Sequence, residues 1–438
     1  MLAHTRILQL DVLGSYDFYT QIVSLDAVHS AHFEELMRDA AGNDPQLPLS
    51  MAQFQARDAV LPLLAHELTH FIDATATLWG MQHLSMLDAA YSAMLREEEA
   101  HFYPLKALHD HVRMLRLPRY YTTQGPARDA VHPWRYQVSL GRRYTATGRV
   151  NMATSITFCR FQCAQGELLV RSPLSPVSLL ETSAMAQEMM IRAASLRRLN
   201  AEEAIVETAL FSRRTLQYLY NRDLTEYSVC AHLVANHQGA SDALLTFFLS
   251  GTIARWVLNA PARAYENVAL RAPLDQIVGA SENHPYVAAL RDGIRAGDLG
   301  ALYYAIVAAL PKADWRQPTT VQSAVEASLA ALELTPDTVA LWRREDMAEL
   351  AECVATSTCP ALRQLAAAGL SNHARMTPYD VALPFSEMDL PQVLFGDMQY
   401  RHAIGNPALP LAKIDPEIAF AELFRLERYV ANFAEACI

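Results

Sequence analysis

Within residues 61–78, LPLLAHELTHFIDATATL, two histidines stand four apart with a glutamate after the first: His66-Glu67-Leu68-Thr69-His70. On a helix, positions i and i+4 share a face, so the two imidazoles can close on one metal ion. Glu67 then sits beside the open side of that ion, where a carboxylate can take a proton from water. Leu63, Leu64, Ala65, Leu68, Thr69, Phe71 and Ile72 are uncharged, as suits a helix buried beneath a cleft. The alternative is a core helix with two hydrogen-bonded histidines and a surface glutamate. Against it, Glu67 lies inside an apolar run, where an unpaired carboxylate is expensive.

The H-E-x-x-H pattern resembles that of the zinc metallopeptidases called zincins, and the resemblance is confined to this helix. It implies a Zn2+ cofactor, with His66 and His70 as ligands and Glu67 as general base. A catalytic zinc takes three protein ligands and a water. In metzincin-like members the third ligand follows closely, as H-E-x-x-H-x-x-G-x-x-H or with Asp last. Here Asp73 stands at the glycine position and Ala76 at the last ligand position. In gluzincin-like members a glutamate on a following helix completes the site, and at the matching distance this chain offers Ala89, with Asp88 beside it.

The third ligand must therefore be argued from burial cost. Glu181 shares a helical face with Val177, Leu180, Ala184 and Met185, so its carboxylate projects from an apolar stripe and calls for a cation. The competing explanation is a first-turn glutamate favoured by the helix dipole. Glu188 lies on the same stripe, but Arg192 at i+4 offers it a surface ion pair. Glu97, Glu98 and Glu99 form a charge run, and Asp88 is a further alternative. Asp73 shares the face of both histidines and is a candidate to hold a ligand imidazole, or is an ordinary helix-surface aspartate. Tyr227, His232 and His237, in TEYSVCAHLVANHQ, are candidates to donate to the oxyanion of a tetrahedral intermediate, each with a satisfied core or surface residue as its alternative.

The elements that must position these groups read as an α+β chain, mostly α. Residues 5–13 read as a strand and 30–40 as a short helix. A long helix starts near Met51, is kinked by Pro62 and continues to about Leu108, with Gly80 as the expected break. Residues 134–173 alternate around Gly141, Gly148 and Gly166 and read as two hairpins or one small antiparallel sheet. Ser175-Pro176 opens the Glu181 helix. Thereafter the pattern is helical nearly to the end, with Asn200 and Ser241 as expected N-caps and Gly239 as a stop. The expected division is a zincin-like catalytic region over 1–270 and a helical C-terminal region over 271–438. Residues 376–416, rich in proline, read as an extended surface loop or lid.

The chain has 438 residues, a 51% hydrophobic share and a net charge of −11. That size supports a large core, and that charge argues against nucleic acid or an anionic membrane surface as main partner. No secretory signal is legible at the N-terminus, because Gln9 and Asp11 interrupt its apolar run. The longest apolar stretches, Leu244–Leu258 and Leu299–Leu310, fall short of a membrane span. Cys159, Cys163, Cys230, Cys353, Cys359 and Cys437 form no C-x-x-C pair, which points to free thiols and a cytoplasmic location; a Cys159/Cys163 metal site is the minor alternative.

The reading is an intracellular zinc metallopeptidase acting on a protein or peptide, with a strand among 134–173 holding the substrate and a possible regulatory partner on the helical C-terminal region. The alternatives are a non-catalytic helical interaction protein with a structural or vestigial zinc site, and a zinc amidase acting on a small amide.

Overall fold

The motif helix is the hub of the structure, a computed structural model that describes residues 13–42, 47–96, 102–126, 133–144, 148–239, 242–312 and 318–436. It runs Met51–Ala76. Ser50 caps it: its hydroxyl accepts from Gln53 N at 3.3 Å, while Ser50 N donates to Gln53 Oε1 at 3.1 Å. Pro62, expected to kink the chain, lies inside this single helix. From Glu67 to Ala76 every residue is buried, so this half of the helix meets packed side chains on all sides.

The next helix, Leu78–Met94, starts at Thr77 and not at Gly80. The Thr77 hydroxyl donates to Asp73 O at 2.5 Å and accepts from Gly80 N at 3.0 Å, ending one helix and capping the next. Gly80 is instead a point of close approach: a Cβ there would lie 2.4 Å from Asp73 O. The expected continuous run to Leu108 is interrupted, and a separate helix follows over Phe102–Leu115. Ser30–Gly42 is helical as expected, whereas the strand read over 5–13 falls almost wholly outside the described residues.

Among the described residues eight strands form two sheets: β1 (Ser15–Tyr16), β2 (Val23–Leu25), β3 (Thr123–Gln124), β4 (Arg135–Tyr144), β5 (Val150–Gln162), β6 (Leu168–Pro173), β7 (Val393–Phe395) and β8 (Tyr400–Arg401). The antiparallel sheet expected over 134–173 is present, in the order β3-β6-β5-β4. The other sheet, β1-β2-β7-β8, pairs β2 with β7 in parallel and its remaining strands antiparallel.

That second sheet alters the reading of residues 376–416. The backbone there is largely irregular, yet Leu383, Met388, Leu390, Val393 and Phe395 are buried. Gln187 donates through Nε2 to Val381 O and accepts from Leu383 N at 3.2 Å. Arg255 Nη1 also donates to Val381 O, at 2.5 Å. The stretch is built into the core, because its apolar residues alternate with the prolines and need cover.

One hydrophobic core surrounds the motif helix and draws residues from Tyr16 to Val430; another lies between the antiparallel sheet and helices such as Thr225–Gln238 and Ala243–Leu258. The helix Pro360–His373 rests directly on the motif helix, where a Cβ on Gly369 would lie 2.2 Å from Thr75 O, and His373 Nδ1 bonds Ala76 O at 2.8 Å. Helices from beyond residue 271 thus help to bury the motif. Asn200 and Gly239 cap as expected, Gly239 at φ 65°. Ser241 lies outside the described residues; Asp242 caps the helix that follows. Among the described residues no single helix is long and apolar enough to cross a membrane.

Candidate metal centre

Two helices supply the cluster. His66 and His70 face the same way from the motif helix, and Glu181 comes from Pro176–Leu196, which packs along it. Ser175 and Ser178 cap that second helix, with Pro176 in its first turn. His66 Nε2 lies 3.2 Å from His70 Nε2 and 3.4 Å from Glu181 Oε2. His70 Nε2 lies 3.6 Å from Glu181 Oε1. One donor atom from each residue falls within 4.8 Å of the others.

These positions suit a small divalent cation. Two donors about 2.1 Å from one ion at a tetrahedral angle stand roughly 3.4 Å apart, close to the separations above. Two imidazoles and a carboxylate are a donor set that zinc accepts. Glu181 is 5% exposed, and the imidazoles of His66 and His70 stand 3.4 and 3.6 Å from its carboxylate. The three-residue group can hold a metal ion.

Electrostatics follow from burial and proximity. Burial pulls the His66 imidazole down, but hydrogen bonds and charge from Glu181 and Glu188 outweigh it and hold His66 well above its usual value. His70, fully enclosed, is pushed down by burial to about 3. Burial acts to raise Glu181, yet His66 and His70 hold it below the ordinary carboxylate range. Burial drives Glu67 up to about 8; His66 opposes this, and Glu181 and Glu188 add to it.

Glu67 is 6% exposed and lies beneath the segment entering β1. A Cβ on Gly14 would come within 3.2 Å of Glu67 Cγ and Oε1, and 3.1 Å of Ser24 O. The Tyr16 ring stacks on His70, with centroids 6.4 Å apart and planes at 26°. Strands β1 and β2 pack on the motif helix.

Glu188, expected to pair with Arg192 and a lesser candidate for the third ligand, serves two partners. Its Oε1 meets Arg192 Nη2 at 3.2 Å, while Oε2 reaches His66 Nδ1 at 3.3 Å. It thus holds the imidazole from behind, the task expected of Asp73. Its place two turns after Glu181 on one helical face was the available signal. Asp73, fully buried, instead faces Arg255 Nε at 3.6 Å, and Arg255 Nη2 donates to Ser183 Oγ at 2.9 Å. Burial raises Asp73 to about 6 despite the opposing arginine.

Tyr227 is 1% exposed, and its phenol oxygen has no hydrogen-bond partner among the described residues. Burial raises its pKa, and the charge of Glu181 adds to the effect, so the ring lies within electrostatic reach of the cluster. His232 is engaged elsewhere: its Nε2 bonds Leu219 O at 2.6 Å and its ring stacks on Trp134 at 5.0 Å. His237 Nε2 bonds Leu310 O at 2.8 Å. Asp88 is not part of the cluster, and Glu97, Glu98 and Glu99 lie outside the described residues. Cys159 and Cys163 are buried free thiols. No family model, curated protein or solved structure matches this chain.

Proposed function

We propose that the chain is a zinc-dependent peptidase. The observation that carries this reading is the convergence of His66, His70 and Glu181 with the buried Glu67 next in chain to a ligand. The N, N, O donor set favours zinc, which when bound supplies a Lewis acid and lowers the pKa of water. Glu67 takes the proton from the attacking water and passes it to the leaving amine. Glu188 fixes the His66 ring through Nδ1, and the Tyr227 phenol, buried and without a hydrogen-bond partner among the described residues, donates to the developing oxyanion. The substrate is a protein or peptide. The free thiols at Cys159, Cys163, Cys230, Cys353 and Cys359 support placing the reaction in the cytoplasm.

The competing reading, an interaction protein with a structural zinc, calls for four protein ligands. Three donors meet here among the described residues, which favours a site with room for water. Zinc analysis of the wild type beside Glu67→Gln, with hydrolysis of an unstructured protein, tests the proposal. Both should carry about one zinc per chain, and only the wild type should hydrolyse. Full activity in Glu67→Gln would overturn the mechanism, and a folded wild type that takes up no zinc would overturn the reading itself.

A further inference from the structure

Arginines gather near Tyr227, whose phenol feels the charge of Glu181. The Arg116 guanidinium lies 5.5 Å from the centre of the Tyr227 ring, and its Nε faces Glu226 Oε2 at 3.4 Å. Ser175 Oγ holds the other oxygen of Glu226 at 3.3 Å. Arg119 also bears electrostatically on Tyr227. Arg113, Arg116 and Arg119 recur every three residues as the helix Phe102–Leu115 gives way to the turn Arg119–Tyr121.

The β4–β5 hairpin joins them. Tyr144 N donates to Tyr121 Oη at 2.8 Å, and the Tyr120 and Tyr121 rings lie 4.5 Å apart. Tyr120 is 63% exposed, with Arg143 and Arg113 both close enough to influence its phenol. Arg113 and Arg119 are exposed, and neither they nor Arg143 meet a carboxylate within ion-pair distance among the described residues. Acids of the neighbourhood are engaged: Glu226 with Arg116, Asp223 accepting from Gln124 Nε2 at 2.7 Å, and Asp110, one helical turn before Arg113, with Lys106. A concentration of one sign on a chain of net charge −11 creates a local field opposite to the average surface.

We infer that this patch of Arg113, Arg119 and Arg143, next to the Arg116–Glu226 pair and the exposed Tyr120, seats an acidic stretch of a polypeptide substrate. The inference rests on the peptidase reading for what happens next, though binding can be measured without hydrolysis. An acidic peptide matches the arginines in charge, and the exposed Tyr120 offers its backbone and side chains an amphipathic face. A polyphosphate chain matches the arginines in charge but has no apolar surface for the exposed Tyr120 ring.

The test uses the full chain carrying Glu67→Gln and a fluorescein-labelled Glu/Ala repeat peptide, read by anisotropy. A Lys/Ala peptide and a short single-stranded RNA serve as comparisons. The acidic peptide should bind tightest, weakening as salt rises from about 0.05 to 0.2 M. Adding Arg119→Glu and Arg143→Glu should cost about tenfold or more in affinity, with the metal content and circular dichroism retained. A control pair, Arg213→Glu and Arg214→Glu on the exposed face of Ala201–Leu219, changes net charge equally and should leave binding close to its starting value. The inference is overturned if the Lys/Ala peptide or the RNA binds more tightly, or if both reversal pairs weaken binding alike. Binding that behaves as expected without hydrolysis by the wild type would overturn the peptidase reading and leave the acidic docking surface standing.

Discussion

Glu188 Oε2 stands 3.3 Å from His66 Nδ1, on the side of the ring opposite the nitrogen that faces Glu181. The imidazole is thus gripped at both nitrogens by carboxylates from one helix. Glu188→Gln should keep all three ligands but lower zinc affinity by about 10- to 100-fold, read by competition with a chromogenic chelator. Wild-type affinity in that variant would show that the ring is oriented by packing alone.

Glu181→Ala removes the carboxylate that closes the cluster. Zinc should fall from about one per chain to a small fraction after dialysis, with the helix content unchanged. Zinc retained at full stoichiometry would move the third ligand to another acid.

Asp73 and Arg255 form a pair in which both side chains are almost wholly buried. Asp73→Ala strands the guanidinium and should cost about 3–5 kcal/mol in denaturant unfolding. Asp73→Ala combined with Arg255→Met removes both charges and should cost less than the single change. Equal costs would indicate that Ser183 and the Val381 carbonyl satisfy Arg255 by themselves.

Asp298 caps the helix Leu299–Ala308 through Gly300 N at 2.9 Å and accepts from Thr157 Oγ1 at 3.2 Å. Burial raises it to about 6, with these hydrogen bonds opposing. A carboxylate raised on folding contributes most below its unfolded value, and that contribution is lost as pH climbs through the folded value. Relative to Asp298→Asn, the wild type should therefore lose about 1–3 kcal/mol between pH 4 and 6.5. Parallel stability profiles for the two proteins across that window would refute this.

Gly14→Ala places a methyl group against Glu67 without touching a ligand. Zinc content should hold while kcat falls by about tenfold or more. Unchanged kcat would mean that the segment before β1 yields.

Where the sequence was legible, the physics was local or costly. His66 and His70 declare themselves because helical spacing alone brings them together, and Glu181 because a carboxylate on an apolar stripe needs a partner. The Glu188–Arg192 pair expected at i+4 is present, but a carboxylate has two oxygens, and the second, on His66, is not legible from spacing within one helix. The β1-β2-β7-β8 sheet escaped notice for another reason. Its strands are two or three residues long, too short for alternation to register, and β7 lies in a stretch whose prolines speak for a loop. Asp73 looked like a partner for histidine because its true partner, Arg255, comes from a helix far along the chain.

The parallel pairing of Ser24 with Leu394 sets a timetable for synthesis. The strand beside the Glu67 pocket gains its neighbour only after residue 394, about 370 positions later, has left the ribosome. Until then the motif helix also lacks the cover of Pro360–His373. A nascent chain carrying His66, Glu67 and His70 therefore emerges long before the surroundings that would make them a working centre, so any hydrolytic competence arrives late, with completion of the fold.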